Sequence, residues 1–263
     1  MALVGGSIAL SFALSLVIAA PIYRVMGLSG IFLVLAILGV FAMFVTFYIL
    51  PSNKVEARVE QASLKEVFFI PELMRLNFGV LLLHATQVAM FLVMPHLLVE
   101  AGMPLADHWK IYLSVVLLSF LMMAPILIFG ERRHRLRLVF LIAIIFLVIA
   151  EILFSQARSI IVIALSLLVY FIGFNLLEAL LPSLVSRFSN QSKGTALGIF
   201  NTTQSIGLFF GAAIGGYLID ALGDMAVFKI SAALLLCWLI IAWFMGELPA
   251  KVVDTKNAVE VIT

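Results

Sequence analysis

Long apolar runs make up most of the chain and are separated by short polar segments. Eight such runs lie at residues 2–23, 29–50, 77–99, 110–130, 138–155, 160–185, 194–219 and 226–246. Each is apolar along its whole length and close to the roughly 20 residues that a helix needs to cross a bilayer. Strands of a membrane barrel would instead alternate apolar and polar residues over about ten positions. The pattern therefore predicts an all-α polytopic membrane protein with eight transmembrane helices.

The composition excludes a water-soluble globular protein. Hydrophobic residues make up 64% of the chain and charged residues 11%, whereas ordinary soluble domains carry about 25% charged residues. The lipid bilayer is therefore the expected partner, and no nucleic-acid partner is expected. Cys237 is the single cysteine, so it has no partner for a disulfide or a thiolate metal site. We expect no metal and no cofactor, and without a phosphate-binding loop motif we expect no ATP-driven pumping.

The placement of Lys and Arg predicts the orientation in the membrane. One side receives four of the sixteen, at Arg24, Lys110, Arg158 and Lys229. The other side receives twelve, at Lys54, Arg58, Lys65, Arg75, Arg132, Arg133, Arg135, Arg137, Arg187, Lys193, Lys251 and Lys256. Because cytoplasmic loops carry the excess of Lys and Arg, we expect a multi-pass protein of the cell inner (plasma) membrane with both termini in the cytoplasm.

The longest polar segment, at 51–76, separates two spans from six. Its apolar residues recur at roughly helical spacing, which predicts a short amphipathic helix on the membrane surface; these residues are Val59, Leu64, Val67, Phe68 and Phe69. An interdomain linker and an ordinary long loop both fit the segment. The first reading divides the chain into two helices at 1–50, a linker at 51–76, six helices at 77–246 and a short cytoplasmic tail at 247–263.

A small-residue stripe occurs twice, which indicates an internal repeat. Ser7, Ser11, Ser15 and Ala19 recur 196 residues later as Thr203, Gly207, Gly211 and Gly215, and the same offset places Gly27 on Gly223 and Phe32 on Phe228. Spans one and two therefore repeat as spans seven and eight, so the period is six helices. Small residues every fourth position let two helices pack closely in lipid, and we expect Gly207, Gly211 and Gly215 to form a packing seam.

Several strings resemble the major facilitator superfamily, and its YajR-type, drug-efflux-like members in particular. They are FGERRHRLR at 129–137, FNLLEALLPSLVSRFSNQSKGTALGIFNTTQSIGLFFGAAIGGYL at 174–218, LH at 83–84 and HWKIYL at 108–113. The resemblance implies helices 5 to 12 of a twelve-helix carrier truncated at its amino terminus, with the last two helices of the first half followed by a complete second half. The family's loop signature between helices two and three is absent, and AAPIYRVMG at 19–27 has alanines where antiporters carry glycines.

The resemblance also implies a role for the charged loop after the fourth span. In the family, this loop latches the two halves together on the cytoplasmic side, so the cytoplasmic gate candidates are Glu131, Arg132, Arg133 and Arg135. Charges that only set the membrane topology are the simpler interpretation of the same residues.

Polar residues within the spans are candidates for a transport path, because a charged side chain at the bilayer centre costs on the order of 2.5–3.5 kcal/mol on insertion scales. Phe171, Asn175, Glu178 and Pro182 lie one turn apart on one stripe of span six. We hypothesise that Glu178 is the group that couples proton movement to transport, with Asn175 and Phe171 lining the substrate cavity. A hydrogen-bonded buried carboxyl group is the alternative for Glu178.

Two further polar pairs lie in spans three and seven. His84 and Gln87 are one turn apart, and His84 is a second proton-coupling candidate because histidine titrates near physiological pH. Asn201 and Gln204 form the other pair, and with Gln87 they are substrate-cavity candidates. Hydrogen bonding between helices is the alternative for each. Glu151 lies near Arg158 at the outer end of span five, where an interfacial position or an ion pair is expected.

These features favour a secondary transporter, not an enzyme, that moves a small amphipathic molecule by alternating access, with proton-driven efflux as the expected mode. We expect a monomer. A truncated fragment that does not transport and a polytopic membrane assembly factor or enzyme are the alternatives. An enzyme would need clustered metal ligands, a nucleophile with its base, or a carboxylate pair, and the sequence contains none of these patterns.

Overall fold

The structure, a computed structural model, describes residues 2–49, 63–189 and 192–246, although most side chains before Pro21 lie outside the description. In these ranges the chain is helical, with no strand. The eight α-helices are α1 (Ala2–Tyr48), α2 (Leu64–Phe68), α3 (Pro71–Glu100), α4 (His108–Arg132), α5 (Leu136–Phe154), α6 (Ile160–Phe188), α7 (Lys193–Leu222) and α8 (Asp224–Trp243). A short 3-10 helix at Leu105–Asp107 precedes α4.

The all-α polytopic fold predicted from the sequence is confirmed. In the described part of the chain, seven helical stretches are long and apolar enough to cross a membrane: Pro21–Tyr48 and the six that contain α3 to α8. The six spans predicted between 77 and 246 each fall on one of these helices. The two spans predicted at 2–23 and 29–50 both correspond to α1, which ends at Tyr48, and the first of them lies mostly among residues whose side chains are not described.

A glycine breaks α1 in the same way that a glycine separates α7 from α8. Gly27 has φ 64° and ψ −164° inside α1, and Gly223 has φ 82° and ψ 167° between the two later helices. This region of backbone conformation is essentially restricted to glycine. The two glycines are the pair that the 196-residue offset superimposes, so the backbone supports the internal repeat at this turn.

The segment before α3 contains the short helix that its apolar spacing predicts. Ser63 accepts a hydrogen bond from the Glu66 amide and Glu66 accepts one from the Ser63 amide, which is a capping box at the start of α2. Val67 is buried, whereas Leu64 and Phe69 are exposed. Val59 lies outside the described residues. Helix α3 begins at Pro71, inside the segment 51–76, and proline is well suited to the first turn of a helix.

Helix α6 occupies the centre of the bundle. Residues 170–177 are all buried, and α6 contacts α3, α4, α5 and α7. Gly173 permits a close approach to α5, since a Cβ at this position would lie 2.6 Å from the Ala143 carbonyl oxygen. A helix that is buried on all sides shows no amphipathic pattern. The sequence pattern therefore does not reveal that α6 is central, and its position is decided by packing.

The two ends of the bundle differ in charge. At one end, Glu131 Oε1 lies 3.5 Å from Arg187 Nη2, and Arg137 donates a 2.6 Å hydrogen bond to the Trp243 carbonyl oxygen. We call this the basic end, because the Arg-rich loop at 131–137 lies there. At the opposite end, His96 Nδ1 of α3 lies 2.5 Å from Asp224 Oδ2 of α8.

Three glycines of α7 lie against the backbone of α3. A Cβ built on Gly207 would lie 2.5 Å from the Leu81 carbonyl oxygen, and Gly211 and Gly215 meet Ala85 and Ala89 in the same register. The two helices are therefore parallel and in close contact, the geometry that small residues permit in lipid. The glycines predicted to form a packing seam thus lie between α3 and α7.

Replacing Gly211 by Ala tests this contact, with Gly216→Ala as the matched control. A Cβ at 211 overlaps the Ala85 carbonyl, whereas one at 216 meets nothing within 4 Å. We expect Gly211→Ala to destabilise the fold by about 1–3 kcal/mol through overpacking, and Gly216→Ala to be neutral or stabilising by up to about 1 kcal/mol. Thermal unfolding in detergent, followed by tryptophan fluorescence, measures both. Equal melting temperatures for the two variants would contradict the close contact.

Candidate functional site

Three polar side chains from three different helices meet inside the bundle. His84 Nε2 of α3 lies 3.3 Å from Glu178 Oε1 of α6 and 2.8 Å from Gln204 Nε2 of α7. The His84 side chain is 4% exposed and that of Glu178 is 24% exposed. We call this group the His84–Glu178–Gln204 cluster. Sequence reasoning had singled out each of the three residues, but only the tertiary structure brings them together.

The helix packing explains how these side chains reach one another. Gln204 lies one turn before Gly207, at the start of the glycine contact with α3, so the backbone of α7 is close enough for its amide to reach His84. On the other side, the ring of Phe174, one turn before Glu178, meets the His84 ring edge to face with centroids 5.8 Å apart. The imidazole is thus held by contacts from both neighbouring helices.

The hydrogen bonds determine which nitrogen of His84 carries a hydrogen when the ring is neutral. Its Nδ1 lies 3.0 Å from the Val80 carbonyl oxygen, which can only accept, so Nδ1 carries a hydrogen and donates it. The Nε2 atom of the neutral ring is then an acceptor for either the Gln204 amide or a protonated Glu178 carboxyl group. The second ring nitrogen is therefore free to take up a proton.

One proton can therefore reside on either member of the cluster. When it is on Glu178, the carboxyl group can donate to His84 Nε2 and both groups are neutral. When it is on Nε2, the imidazolium faces a carboxylate at 3.3 Å and the Gln204 amide must present its oxygen. Either arrangement leaves the cluster with no net charge. Inside a membrane, this costs less free energy than a net charge would.

Two of the predicted cavity residues are interior packing residues in this structure. Asn175 Nδ2 donates a 2.9 Å hydrogen bond to Ser119 Oγ and so ties α6 to α4. Phe171 is buried and packs against the rings of Phe91 and Phe174, with centroids 6.1 and 6.3 Å apart. Both residues lie on the Glu178 stripe, but within the described structure they connect helices.

The other two cavity candidates are more open. Asn201 is exposed and lies one turn before Gln204 on α7, and Gln87 is partly exposed one turn after His84 on α3. They extend the cluster towards the more exposed side of these two helices. In the described part of the chain, no group of three His, Cys, Asp or Glu side chains could hold a metal ion.

The expected position of Glu151 was wrong. Its side chain is completely buried, and neither carboxyl oxygen has a hydrogen-bond partner among the described residues. Arg158 does not pair with it but donates to the Ala157 carbonyl oxygen at 3.1 Å. Helix α5 is apolar on every side, so its pattern does not reveal which face packs inward, and packing against α6 and α8 places Glu151 in the interior.

The gate candidates lie at the basic end, where Glu131, Arg132, Arg133 and Arg135 are all exposed. Glu131 pairs with Arg187 at the end of α6, a partner that sequence reasoning had not assigned to the gate. The positive charge of Arg187 at the end of a span could have marked it as a gate candidate in the sequence. Its proximity to Glu131, however, follows from the packing of α4 against α6.

Comparison with known proteins shows the family to which the chain belongs. Residues 1–212 match the Major Facilitator Superfamily. The Inner membrane transport protein YajR of Escherichia coli is 34% identical over 258 residues, covering 95% of this chain and 56% of that protein. The uncharacterized transporter BU466 of Buchnera aphidicola is 30% identical over 224 residues, covering 80% of this chain and 56% of that protein. The chain thus spans about half the length of these relatives.

Removing the Gln204 amide tests the geometry of the cluster. We expect Gln204→Leu to shift the Nε2 resonance of His84 in ¹⁵N-histidine NMR, because Nε2 loses its donor, while Nδ1 keeps the chemical shift of a protonated nitrogen. Asn201→Leu, one turn away and exposed, is the matched control and should leave both resonances unchanged. The four histidines are assigned by single substitutions. An unshifted Nε2 resonance in Gln204→Leu would refute the contact.

Proposed function

We propose that this chain, which belongs to the major facilitator superfamily, takes part in proton-coupled efflux of a small amphipathic molecule across a bilayer. The observation that carries the proposal is the His84–Glu178–Gln204 cluster, in which two titratable groups meet inside a membrane bundle. Its relatives carry the names of transporters, which supports transport over an enzymatic role.

The geometry of the cluster suits a group that loads and unloads a proton. Glu178 is the more accessible member and His84 is almost completely buried, so water reaches the pair through the carboxyl group. A carboxyl group wetted in one state and occluded in another can bind a proton on one side and release it on the other. Glu178 therefore exchanges the proton, while His84 and Gln204 hold the carboxyl group in place.

The proposed organisation follows the repeat. Helices α3 to α8 form one half of the carrier, and the two parts of α1 on either side of Gly27 belong to the other half, joined by the segment that leads to α2. Asn201 and Gln87, the open polar residues beside the cluster, contact the substrate. The carrier acts as a monomer in the inner membrane, with the basic end and both termini in the cytoplasm.

The loop at the basic end forms the cytoplasmic gate in this proposal. Exposed ion pairs contribute at most about 1 kcal/mol, so the Glu131–Arg187 contact is too weak to hold the fold together. Its proposed role is to position the loop, so that Arg132, Arg133 and Arg135 can latch onto the other half. A weak contact suits a latch, since it must break in each transport cycle.

Replacing Glu178 by Gln tests proton coupling. The protein is reconstituted in liposomes that contain a pH-sensitive dye, and ethidium is added as an amphipathic cationic probe. We expect ethidium-dependent proton movement to fall by about two orders of magnitude, the scale of losing an essential proton-transfer group, because an amide cannot carry the proton. Glu100→Gln is the matched control, since Glu100 is exposed at the opposite end and should leave proton movement unchanged.

Two outcomes decide the coupling proposal. Retention of full proton movement in Glu178→Gln would rule out Glu178 as the coupling group. If the unmodified protein moves ethidium without moving protons, then transport occurs by facilitated diffusion and the proton-coupled part of the proposal fails.

Charge reversal at Glu131 tests the gate. We expect Glu131→Lys to change the free energy of unfolding by no more than about 1 kcal/mol but to alter the exposure of the cavity. The readout is the labelling rate of Asn201→Cys by a membrane-impermeant maleimide from each side, in a Cys237→Ser background. Asp107→Lys, at the opposite end of the bundle, is the control. Unchanged labelling from both sides in Glu131→Lys would count against a latch.

A further inference from the structure

A carboxyl group with no polar partner is buried in a part of the bundle that the cluster does not use. Glu151 of α5 is 0% exposed, and neither of its oxygens accepts or donates a hydrogen bond within the described structure. An ionised carboxylate in such a place costs several kcal/mol unless a cation or several donors compensate it. The position is therefore compatible with a neutral carboxylic acid, which must hold a proton.

No charged side chain compensates Glu151 from the helices that pack against α5, namely α4, α6 and α8. Their charged groups in the half of the bundle remote from the basic end are paired elsewhere or exposed. Asp224 of α8 pairs with His96, Lys229 of α8 is exposed, and Lys110 of α4 pairs with Asp107 at 2.7 Å. Helix α6 contributes a neutral group, the hydroxyl of Tyr170.

Tyr170 is a second buried polar group without a hydrogen bond, and it faces the same region. Its side chain is 0% exposed and its hydroxyl has no partner of good geometry. The ring of Phe154, one turn after Glu151, lies 6.2 Å from the Tyr170 ring. Glu151 and Tyr170 are therefore within about one helical turn of the same level of the bundle. Thr86 of α3 is a further buried hydroxyl, and α3 packs against α6.

We propose that Glu151 and Tyr170 form a second proton-binding site, in the half of the bundle opposite the basic end. The proton resides on the Glu151 carboxyl group. Neither this group nor the Tyr170 hydroxyl makes a hydrogen bond in this arrangement, and the Tyr170 oxygen is the proposed acceptor when the two side chains approach. Thr86 donates its own hydrogen to the Leu82 carbonyl oxygen at 2.9 Å, so its oxygen remains able to accept from Tyr170. The ligand of this site is therefore H⁺.

The position of the site relates it to the His84–Glu178–Gln204 cluster. Thr86 lies on α3 two residues from His84, and the ring of Phe174 separates His84 from Tyr170, with centroids 5.8 and 6.1 Å from them. Groups with exchangeable protons thus lie between the end of α5 and the interior of the bundle, at Glu151, Tyr170 and Thr86. Proton binding at this site does not depend on the proposed function, because it requires neither a substrate nor transport.

Infrared spectroscopy of the protein in liposomes tests the site. A protonated carboxyl group has a carbonyl stretch separate from that of carboxylates, and we expect Glu151→Gln to remove one such band at neutral pH. Glu100→Gln, which changes an exposed carboxylate, should remove none. Glu178→Gln serves as a second comparison, since the Glu151 band should persist in it whether or not Glu178 couples transport. A full set of protonated carboxyl bands in Glu151→Gln would overturn the proposal.

A conservative variant at Tyr170 separates a proton-exchanging site from an inert buried acid and leaves Glu151 in place. On transfer to D₂O, we expect the Glu151 band to shift as its proton exchanges. In Tyr170→Phe the band should move because the hydroxyl to which the acid is proposed to donate is removed, and exchange should slow severalfold. A band with unchanged frequency and exchange rate in Tyr170→Phe would exclude Tyr170 from the site and overturn the proposed pair.

Discussion

The parallel contact between α3 and α7 determines much of what this bundle can do. Gly207 and Gly211 bring the α7 backbone against the carbonyl oxygens of Leu81 and Ala85, a distance that no residue with a Cβ would allow without a shift. In lipid, helices gain little from apolar burial, so association depends on close packing and on hydrogen bonds between helices. The glycine contact provides the packing, and it brings Gln204 to His84 for the hydrogen bond.

The buried polar groups of the bundle differ in how they are satisfied. Asn175 has a hydroxyl partner on the neighbouring helix, which is the arrangement expected of a group that only connects helices. The cluster around His84 is also satisfied, but through a nitrogen that can either donate or accept. Glu151 has no hydrogen-bond partner in the described structure. An amide that connects helices, a cluster that can share a proton and an acid without a hydrogen bond thus differ in their hydrogen bonds, although each involves polar residues in apolar helices.

The position of the cluster between three helices connects the fold to the proposed transport cycle. His84, Glu178 and Gln204 come from α3, α6 and α7, so movement of any one helix changes the distances among them. A proton shared between His84 and Glu178 keeps the interior free of net charge, whereas its loss leaves a charge that favours a wetted arrangement. Protonation and helix position are therefore linked by electrostatic cost, which is the physical requirement for coupling an ion to a conformational change.

The sequence by itself determined the all-α membrane fold and the six spans between 77 and 246, because bilayer thickness requires long apolar runs. It also indicated the recurrence of one glycine turn, at Gly27 and Gly223. It also singled out Glu178 and His84 as candidate residues, since polar residues in such runs are rare. Only the tertiary structure decided which of these residues meet and that Glu151 is buried. Helices that are apolar on every side carry no periodic signal for their inward face, so burial and contact depend on packing between helices distant in sequence.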